Sequence, residues 1–288
     1  PMMESMLGAL ANNSWDGDLD SWPAALDTPM RMAVTSDHAQ CGGRRCTFVN
    51  QCSFFKARDG LQEADVVVAN HNLVLADLKL GGGVILPAPE DCIFIFDEGH
   101  QLADKCLDQF TLMVRSNGTR QALRETAQWL SDQREAIDDK LSQQSLLELL
   151  ETSLTDLEQI TLDVGLWAEE YLLQLAVESN ETRFEYGVVP SELRTAAHDL
   201  AVAWQKHIDL VRRFEASLDS CREELDLDQR DEVEAWLLNA KSMLTRADTQ
   251  LALWESYSGA DAPNTEEPWA RWMRGSPSGS GVEFFASP

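Results

Sequence analysis

Two adjacent acids, Asp97 and Glu98, are the residues of this chain best suited to chemistry. They belong to the sequence Asp-Glu-Gly-His and directly follow the apolar run at residues 92–96. Five consecutive hydrophobic residues predict a β-strand buried on both faces of a parallel sheet, and such sheets bind ligands at the carboxyl ends of their strands. There Asp97 would meet Mg²⁺, usually through water, and Glu98 would orient or deprotonate an attacking water. The alternative is a strand that ends in a polar turn, with His100 held in a loop.

Three cysteines form a second candidate site. Cys41, Cys46 and Cys52 fall within twelve positions of a chain that has 6 cysteines in 288 residues. Closely spaced thiols in a chain without a recognisable secretory signal indicate metal or cluster ligands rather than disulfides. An iron–sulfur cluster requires four thiolates, and only three are grouped here. The residues alone therefore leave two alternatives. One is a Zn²⁺ site that adds His38 to the three thiolates, and the other is no metal at all.

The net charge of the chain opposes nucleic-acid binding over most of its length. Lys and Arg number 23 against 49 Asp and Glu, a net charge of −26, whereas phosphate contact favours basic surfaces. The segment 41–60 differs, because it combines four basic residues and a single acid with three phenylalanines. These residues are Arg44, Arg45, Lys56 and Arg58, then Asp59, then Phe48, Phe54 and Phe55. Such a segment is typical of a single-strand contact; alternatively, the rings pack inside the loop and the basic groups are merely solvated.

Hydrophobic patterns place these motifs on different kinds of element. Residues 66–68 are three valines, which predict a core strand, and Asn70, His71 and Asn72 follow at its tip. Beyond Cys106 apolar residues recur every three or four positions, which predicts amphipathic helices that form a bundle with tryptophans in its core. The helical stripes cover residues 123–137, 146–175, 193–218 and 233–254. Residues 282–285 predict a short strand.

The order of the motifs resembles that of a known family. Four elements follow one another as they do in the DinG-type iron–sulfur helicases, which are superfamily 2 relatives of the xeroderma pigmentosum group D helicase. The elements are Cys-x4-Cys-x5-Cys, Phe-Phe-Lys-Ala-Arg, Ala-Asp-Val-Val-Val-Ala-Asn-His-Asn-Leu and Asp-Glu-Gly-His. The resemblance implies ATP-driven movement from 5′ to 3′ on single-stranded DNA. It also implies that residues 97–100 are the Walker B box, also called helicase motif II.

The same resemblance implies particular roles and partners. It implies a [4Fe–4S] cluster, with Cys41, Cys46 and Cys52 as its second, third and fourth ligands and the remaining ligand outside this chain. It implies ATP as substrate, Mg²⁺ at Asp97 and catalysis by Glu98. The four basic residues of segment 41–60 become candidate DNA contacts, because the family's cluster domain lies where the duplex is split. The expected partners are single-stranded and forked DNA and a single-stranded-DNA-binding protein. The resemblance also implies a part in DNA repair and a place in the bacterial cytoplasm, with no membrane.

The sequence also departs from the family pattern. It contains no Gly-x4-Gly-Lys-Ser/Thr phosphate loop, no cysteine before Cys41 and none of the motifs of a second motor domain. The backbone amides and the lysine that cradle phosphates in this class of enzyme are therefore missing. We therefore expect this chain to be an internal piece of a longer helicase and to be inactive when it is alone.

Together these observations predict an α/β plus all-α fold, in which part of a RecA-like motor domain carries an iron–sulfur loop and a large inserted helical arch. The expected divisions are a cluster region at 1–62, a motor domain 1 segment with the Walker B box at 63–108, the arch at 109–270, and a linker and strand returning to motor domain 1 at 271–288. Two other function classes stay open. One is a zinc-stabilised module that binds nucleic acid or protein on a helical scaffold, and the other is an acidic mimic or adaptor that binds a basic partner.

Overall fold

The chain divides into two units in the computed structural model. The structure describes residues 2–27, 30–31, 34–35, 41, 43, 46, 48–61, 63–175, 180–225, 230–259, 269–277 and 279–288. The N-terminal unit runs from Pro1 to Gln109, and the C-terminal unit from Phe110 to Pro288. The two units differ in how they bury their hydrophobic side chains.

The N-terminal unit is built from short helices joined by long connections. Its helices with fully described bounds are α1 (Met2–Ala11), α2 (Ser53–Gly60), α3 (His71–Lys79) and α4 (Leu102–Phe110), the last of which ends at the boundary between the units. Only a few large apolar side chains are buried among its described residues, and they come from three of the helices and one loop. These are Met6, Phe55, Val74, Leu75 and Leu86.

The two strands predicted in the N-terminal unit are not formed. Residues 66–68 and 92–96 belong to no helix or sheet. Val68 is 94% exposed, and Ile93 and Ile95 are 92% and 90% exposed. A strand needs a neighbour for its N–H and C=O groups, and no described residue pairs with either segment. The prediction of strands buried in a parallel sheet is therefore wrong for the described structure.

A buried carboxylate organises the glycine-rich connection after α3. Asp77, on the inner side of α3, is 3% exposed and accepts hydrogen bonds from the backbone N–H groups of residues 83–86. Burial alone would raise the pKa of Asp77, but the four backbone donors lower it below its ordinary value. Gly82 and Gly83 have positive φ angles of 79° and 75°, which glycine adopts without a steric penalty. The glycine run, which reads as a flexible turn, is therefore held in place by an acid that precedes it.

The C-terminal unit contains the four long helices that the hydrophobic stripes predict. They are α5 (Ser116–Leu141), α6 (Gln144–Leu175), α7 (Ser191–Glu224) and α8 (Arg230–Ser258). The stripe residues form one hydrophobic core across all four helices. Trp204, Trp236 and Trp254 are buried in that core, as the pattern predicts. A search of the described helices found none with the length and apolarity needed to cross a bilayer.

A small antiparallel sheet completes the C-terminal unit. Its strands are β1 (Leu112–Arg115), β2 (Glu181–Arg183), β3 (Ala270–Gly275) and β4 (Val282–Ser287), in the order β1-β4-β3-β2. The strand predicted at residues 282–285 is confirmed as β4. It pairs with β1 and β3, whereas we expected residues 271–288 to be a linker and a strand that returns to the motor domain. The described pairing instead keeps this strand with the helical unit.

The inner face of the sheet packs on α8. The Phe284 ring lies 5.0 Å from the Trp254 ring, and the Tyr257 hydroxyl lies 2.7 Å from the carbonyl oxygen of Trp272 and 2.9 Å from that of Phe285. A buried hydroxyl that bonds two neighbouring strands fixes the sheet against the helix. The helices therefore position the strands, and the whole unit shares one core.

The outer face of the sheet carries a buried carboxylate between two arginines. The side chain of Glu283 is 2% exposed and lies 2.8 Å from Arg115 and 2.7 Å from Arg274. Burial would raise the pKa of Glu283, but the hydrogen bonds and charges of the two arginines lower it below its ordinary value. These ion pairs join strands β1, β4 and β3 side by side.

Candidate functional site

The acidic pair lies in an exposed turn. Asp97 and Glu98 follow the unpaired segment 92–96 and precede α4, with a short 3₁₀ turn at Gly99–Gln101 between. Glu98 has a left-handed backbone conformation, with a φ of 50°. Non-glycine residues with positive φ are uncommon and concentrate in turns and at functional sites. The two acids therefore lie in a turn, but not at the tip of the buried strand that the sequence predicted, and their roles stay a prediction.

Hydrogen bonds within the turn restrain both acids. The Oδ1 atom of Asp97 accepts the backbone N–H of Glu98 at 2.9 Å, and the carbonyl oxygen of Glu98 accepts the N–H of Gln101 at 2.9 Å. His100 Nδ1 lies 3.3 Å from Glu98 Oε2, and both side chains are largely exposed. An exposed contact of this kind adds little stability. Its consequence is that the Glu98 carboxylate is directed toward His100.

The tip of the valine segment lies beside the acidic turn. The His71 ring lies 5.9 Å from the Phe96 ring, and Phe96 stacks on Phe94 at 6.0 Å. Asn70 precedes α3, and its side-chain oxygen accepts the N–H of Leu73 at 2.8 Å, which caps the helix. The structure therefore brings the Asn-His-Asn motif and the Asp-Glu motif together within the N-terminal unit. The sequence signal for the cap is the polar Asn70 directly before an apolar helical stretch.

The three cysteines lie on the chain that leads into α2. All three are free thiols of intermediate exposure. The backbone N–H of Gly43 donates to the Sγ atom of Cys41 at 3.4 Å, and the carbonyl oxygen of Cys52 accepts the N–H of Lys56 in the first turn of α2.

Thiols are suitable ligands for iron or zinc, but the structure does not bring the three cysteines together as a set of metal ligands. Among the residues that it describes, no three His, Cys, Asp or Glu side chains group in a way that could hold a metal ion. His38, the fourth ligand of the zinc alternative, lies outside the described residues. The cysteines therefore supply the donor type that a cluster needs but not its geometry, and their assignment as ligands stays a prediction.

The predicted single-strand contact is only partly described. Arg44 and Arg45 lie outside the described residues. Lys56 on α2 is exposed, whereas the guanidinium group of Arg58 donates to the carbonyl oxygen of Val84. Arg58 therefore has a structural partner, which the sequence did not predict.

The phenylalanines of this segment divide between the core and the surface. Phe55 is buried, but Phe48 and Phe54 are 67% and 60% exposed. The interpretation that the rings pack inside the loop thus holds for Phe55 alone. Lys56, Phe48 and Phe54 remain available for a partner.

Comparison with known proteins identifies relatives on the basis of sequence. Residues 39–118 match the DEAD_2 family. The chain is 28% identical over 285 residues to the ATP-dependent DNA helicase DinG of Photobacterium profundum, an alignment that covers 97% of this chain and 40% of the relative. Over 101 residues, or 35% of this chain, it is 40% identical to the DinG helicase of Escherichia coli K12 and 39% identical to that of Shigella flexneri, covering 14% of each. The chain thus spans well under half the length of these relatives.

Proposed function

We propose that this chain, a relative of the DinG-type DNA helicases, provides the Walker B box, the cysteine loop and a helical arch of an ATP-dependent DNA helicase that moves from 5′ to 3′. The observation that carries the proposal is the match of one family over residues 39–118. That region contains the cysteines, the Asn-His-Asn motif and the acidic pair in the order that the resemblance requires. In the structure, the ring of His71 also lies 5.9 Å from that of Phe96, the residue directly before the acidic pair.

The acidic turn supports distinct roles for its two carboxylates. Asp97 keeps carboxylate oxygen free to accept hydrogen bonds from the water shell of Mg²⁺, because the contact with Glu98 N–H occupies only Oδ1. Glu98 stands one residue further on, in a left-handed conformation and beside His100. A carboxylate in that place is suited to accept a proton from water that attacks the γ-phosphate. Carboxylate oxygen is the donor type that Mg²⁺ prefers, which suits Asp97 to the metal.

The exposed extended segments support a place in a larger sheet. Residues 66–68 and 92–96 are apolar on both faces, which is typical of interior strands of a parallel sheet. In the described structure they are unpaired and exposed. The relatives are longer than this chain. We propose that other parts of a longer helicase, the parent helicase, supply the neighbouring strands and the phosphate loop.

The remaining parts of the proposal concern the cluster and DNA. A [4Fe–4S] cluster would be held by Cys41, Cys46 and Cys52 together with a thiolate outside this chain. The separated DNA strand would contact Lys56, Phe48 and Phe54 beside that cluster, where the duplex is split. The helical unit would form the arch, and the parent would act in the bacterial cytoplasm on single-stranded and forked DNA. The exposure of Lys56, Phe48 and Phe54 supports the DNA contact.

The first experiment replaces Glu98 with Gln in the parent helicase. Glu98→Gln keeps the shape of the side chain but removes the proton acceptor, so ATP hydrolysis should fall by at least about a hundredfold while nucleotide binding is kept. Glu90→Gln is the matched control, because Glu90 is an exposed acid of the same unit. Steady-state ATPase rates and nucleotide affinity measure the two effects. Normal unwinding by Glu98→Gln would refute the catalytic role.

The second experiment tests the cysteines. Cys46→Ser in the parent helicase should remove bound iron and sulfide and abolish unwinding, while the helical unit stays folded. Cys106→Ser is the control, because Cys106 is also a free thiol of intermediate exposure. Elemental analysis separates iron from zinc, so one equivalent of zinc would favour the zinc-stabilised module instead. Unwinding retained without iron would contradict the cluster.

A further inference from the structure

The C-terminal unit contains a pocket that the proposed helicase function does not use. It is an open pocket of about 350 Å³ between strand β1 and helices α5, α7 and α8. Its size falls in the range of small-molecule sites. Trp204 and His207 of α7 form one side, Met243 and Arg246 of α8 another, and Arg115 closes the end at β1.

The charge of this pocket is opposite to that of the chain. Its described lining contains two arginines and neither Asp nor Glu, although the chain carries 49 acids and 23 basic residues. Arg115 shares the Glu283 carboxylate with Arg274. Arg246 is exposed, and no ion pair of Arg246 occurs among the described residues. The lining is therefore positively charged.

The polar groups of Trp204 and Gln250 are not available to a ligand. Trp204 is 4% exposed, and its indole Nε1, which has no hydrogen-bond partner among the described residues, is itself buried. The amide of Gln250 is used within the wall, since its nitrogen donates to Thr119 at 2.6 Å and its oxygen accepts from Trp254 at 3.1 Å. Arg246 is therefore the group through which the pocket would recognise a charged ligand.

The rest of the lining is apolar. Leu123 and Leu154 are buried core residues that reach the pocket, and Met113 and Met243 border it. Methionine side chains adapt to flat or irregular ligands and make favourable contacts with aromatic rings. The pocket thus combines an apolar wall with a cation.

We propose that this pocket binds a small organic anion whose apolar ring lies against the leucine and methionine wall. Arg246 would bind the anionic group, and the ring would lie close to Trp204, which borders the pocket. The assignment is independent of the helicase proposal, because every residue that it uses belongs to the C-terminal unit and lies apart from Asp97, Glu98 and the cysteines in the sequence.

The test uses the 288-residue chain and 2-naphthalenesulfonate as the probe, with neutral 2-naphthalenemethanol as its counterpart. Titration calorimetry should show that the sulfonate binds and that the alcohol binds at least about tenfold more weakly, because it lacks the charge that Arg246 requires. In ¹H–¹⁵N spectra the indole resonance that disappears in Trp204→Phe should shift when the sulfonate is added to the unaltered chain.

Matched variants separate the pocket from general attraction to basic residues. Arg246→Gln should weaken sulfonate binding by about tenfold. Arg212→Gln, which removes an exposed arginine of α7 outside the pocket, should leave it unchanged. Ala122→Phe places a ring in the pocket and should abolish binding while the far-UV spectrum and melting temperature are kept. Equal binding of the two probes, equal loss in the two arginine variants, or an unshifted Trp204 resonance would each overturn the proposal.

Discussion

The two units of this protein use hydrophobic residues in contrasting ways. In the C-terminal unit the stripe residues of four long helices close a continuous core, in which Leu157, Val211 and Phe214 have no exposed surface. In the N-terminal unit the most hydrophobic segments remain outside, so that Val68 and Ile95 are 94% and 90% exposed. Both units contain strongly apolar segments, but only the C-terminal unit buries most of its apolar side chains.

The difference follows from where each kind of element finds its hydrogen bonds. A helix pairs its own N–H and C=O groups, so an amphipathic helix needs only another apolar face. An extended segment requires neighbouring strands before its side chains can be buried. The helical unit therefore completes its core from its own sequence, whereas the unit with the acidic pair exposes surface suited to a partner.

The largest expected effect is in the core of the helical unit. Phe214→Ala should lower the free energy of unfolding by about 3–5 kcal/mol, because it removes a fully buried ring and leaves a cavity. Val202→Ala on the same helix should change it by less than about 0.5 kcal/mol, because Val202 is 56% exposed. Urea unfolding followed by far-UV circular dichroism measures both. Equal effects would show that the core of α7 is not packed as described.

A buried histidine makes the stability of the same unit depend on pH. Burial lowers the pKa of His207 to about 4, and its Nδ1 lies 2.7 Å from Ser153 Oγ. The unfolded chain takes up this proton near pH 6.5, and the folded chain only near pH 4. His207 should therefore not change the free energy of unfolding above pH 6.5. As the pH drops to 4, that free energy should fall by about 3 kcal/mol, because the unfolded chain binds the proton first.

Replacement of this histidine isolates its contribution from that of the many carboxylates. His207→Gln should flatten the pH dependence between 6.5 and 4, measured by urea unfolding at several pH values. His198→Gln, an exposed position on the same helix, should leave the slope as it is. A slope unchanged by His207→Gln would contradict the buried neutral imidazole.

In the N-terminal unit the loss of the buried carboxylate should have a local effect. Asp77→Asn should lower protection of the backbone N–H groups of residues 83–86 against hydrogen exchange by about 1–3 kcal/mol, because they lose a charged acceptor. Asp91→Asn, an exposed acid of the same connection, should leave it unchanged. Since the pKa of Asp77 is lowered, the protection should be complete above about pH 4 and decline as the pH falls further. Protection that rises as the pH falls would contradict the role of the ionised Asp77 carboxylate as the acceptor of these hydrogen bonds.

The smallest expected effect is on the exposed segment. Ile95→Ser should change the stability of this chain by less than about 0.5 kcal/mol, because Ile95 already meets solvent. Leu75→Ser should cost about 2–4 kcal/mol in the same unit, because Leu75 is 4% exposed. In the parent helicase we expect the ranking to change, with Ile95→Ser strongly destabilising. A large loss already in this chain would mean that residues 92–96 are buried in solution.

The helices of the C-terminal unit were predictable because their signal is local. Repeats of three and four residues give both the element and its buried face, and α6 and α7 follow the stripes at 146–175 and 193–218. The sheet was less predictable. Residues 282–285 read as a strand, but nothing in that short segment specifies β1 and β3 as its partners.

For the candidate site, the motif proposes the residues, whereas their geometry comes only from the structure. The motif identifies Asp97 and Glu98, but the left-handed turn at Glu98 and its contact with His100 depend on the backbone path. Arg58 read as a DNA contact, yet it donates to the carbonyl oxygen of Val84, 26 residues away. Such contacts depend on distant residues, which no local pattern encodes.

The sequence by itself determined which segments are helical, which acids follow an apolar run, and the order of motifs shared with the helicases. Those properties need only neighbouring residues and the period of their side chains. The tertiary structure decided that residues 66–68 and 92–96 stay unpaired, that β4 joins the helical unit, and that Asp77 holds the glycine turn. In each case the hydrogen-bond partners, or their absence among the described residues, are not specified by the local pattern of side chains, so they depend on the fold as a whole.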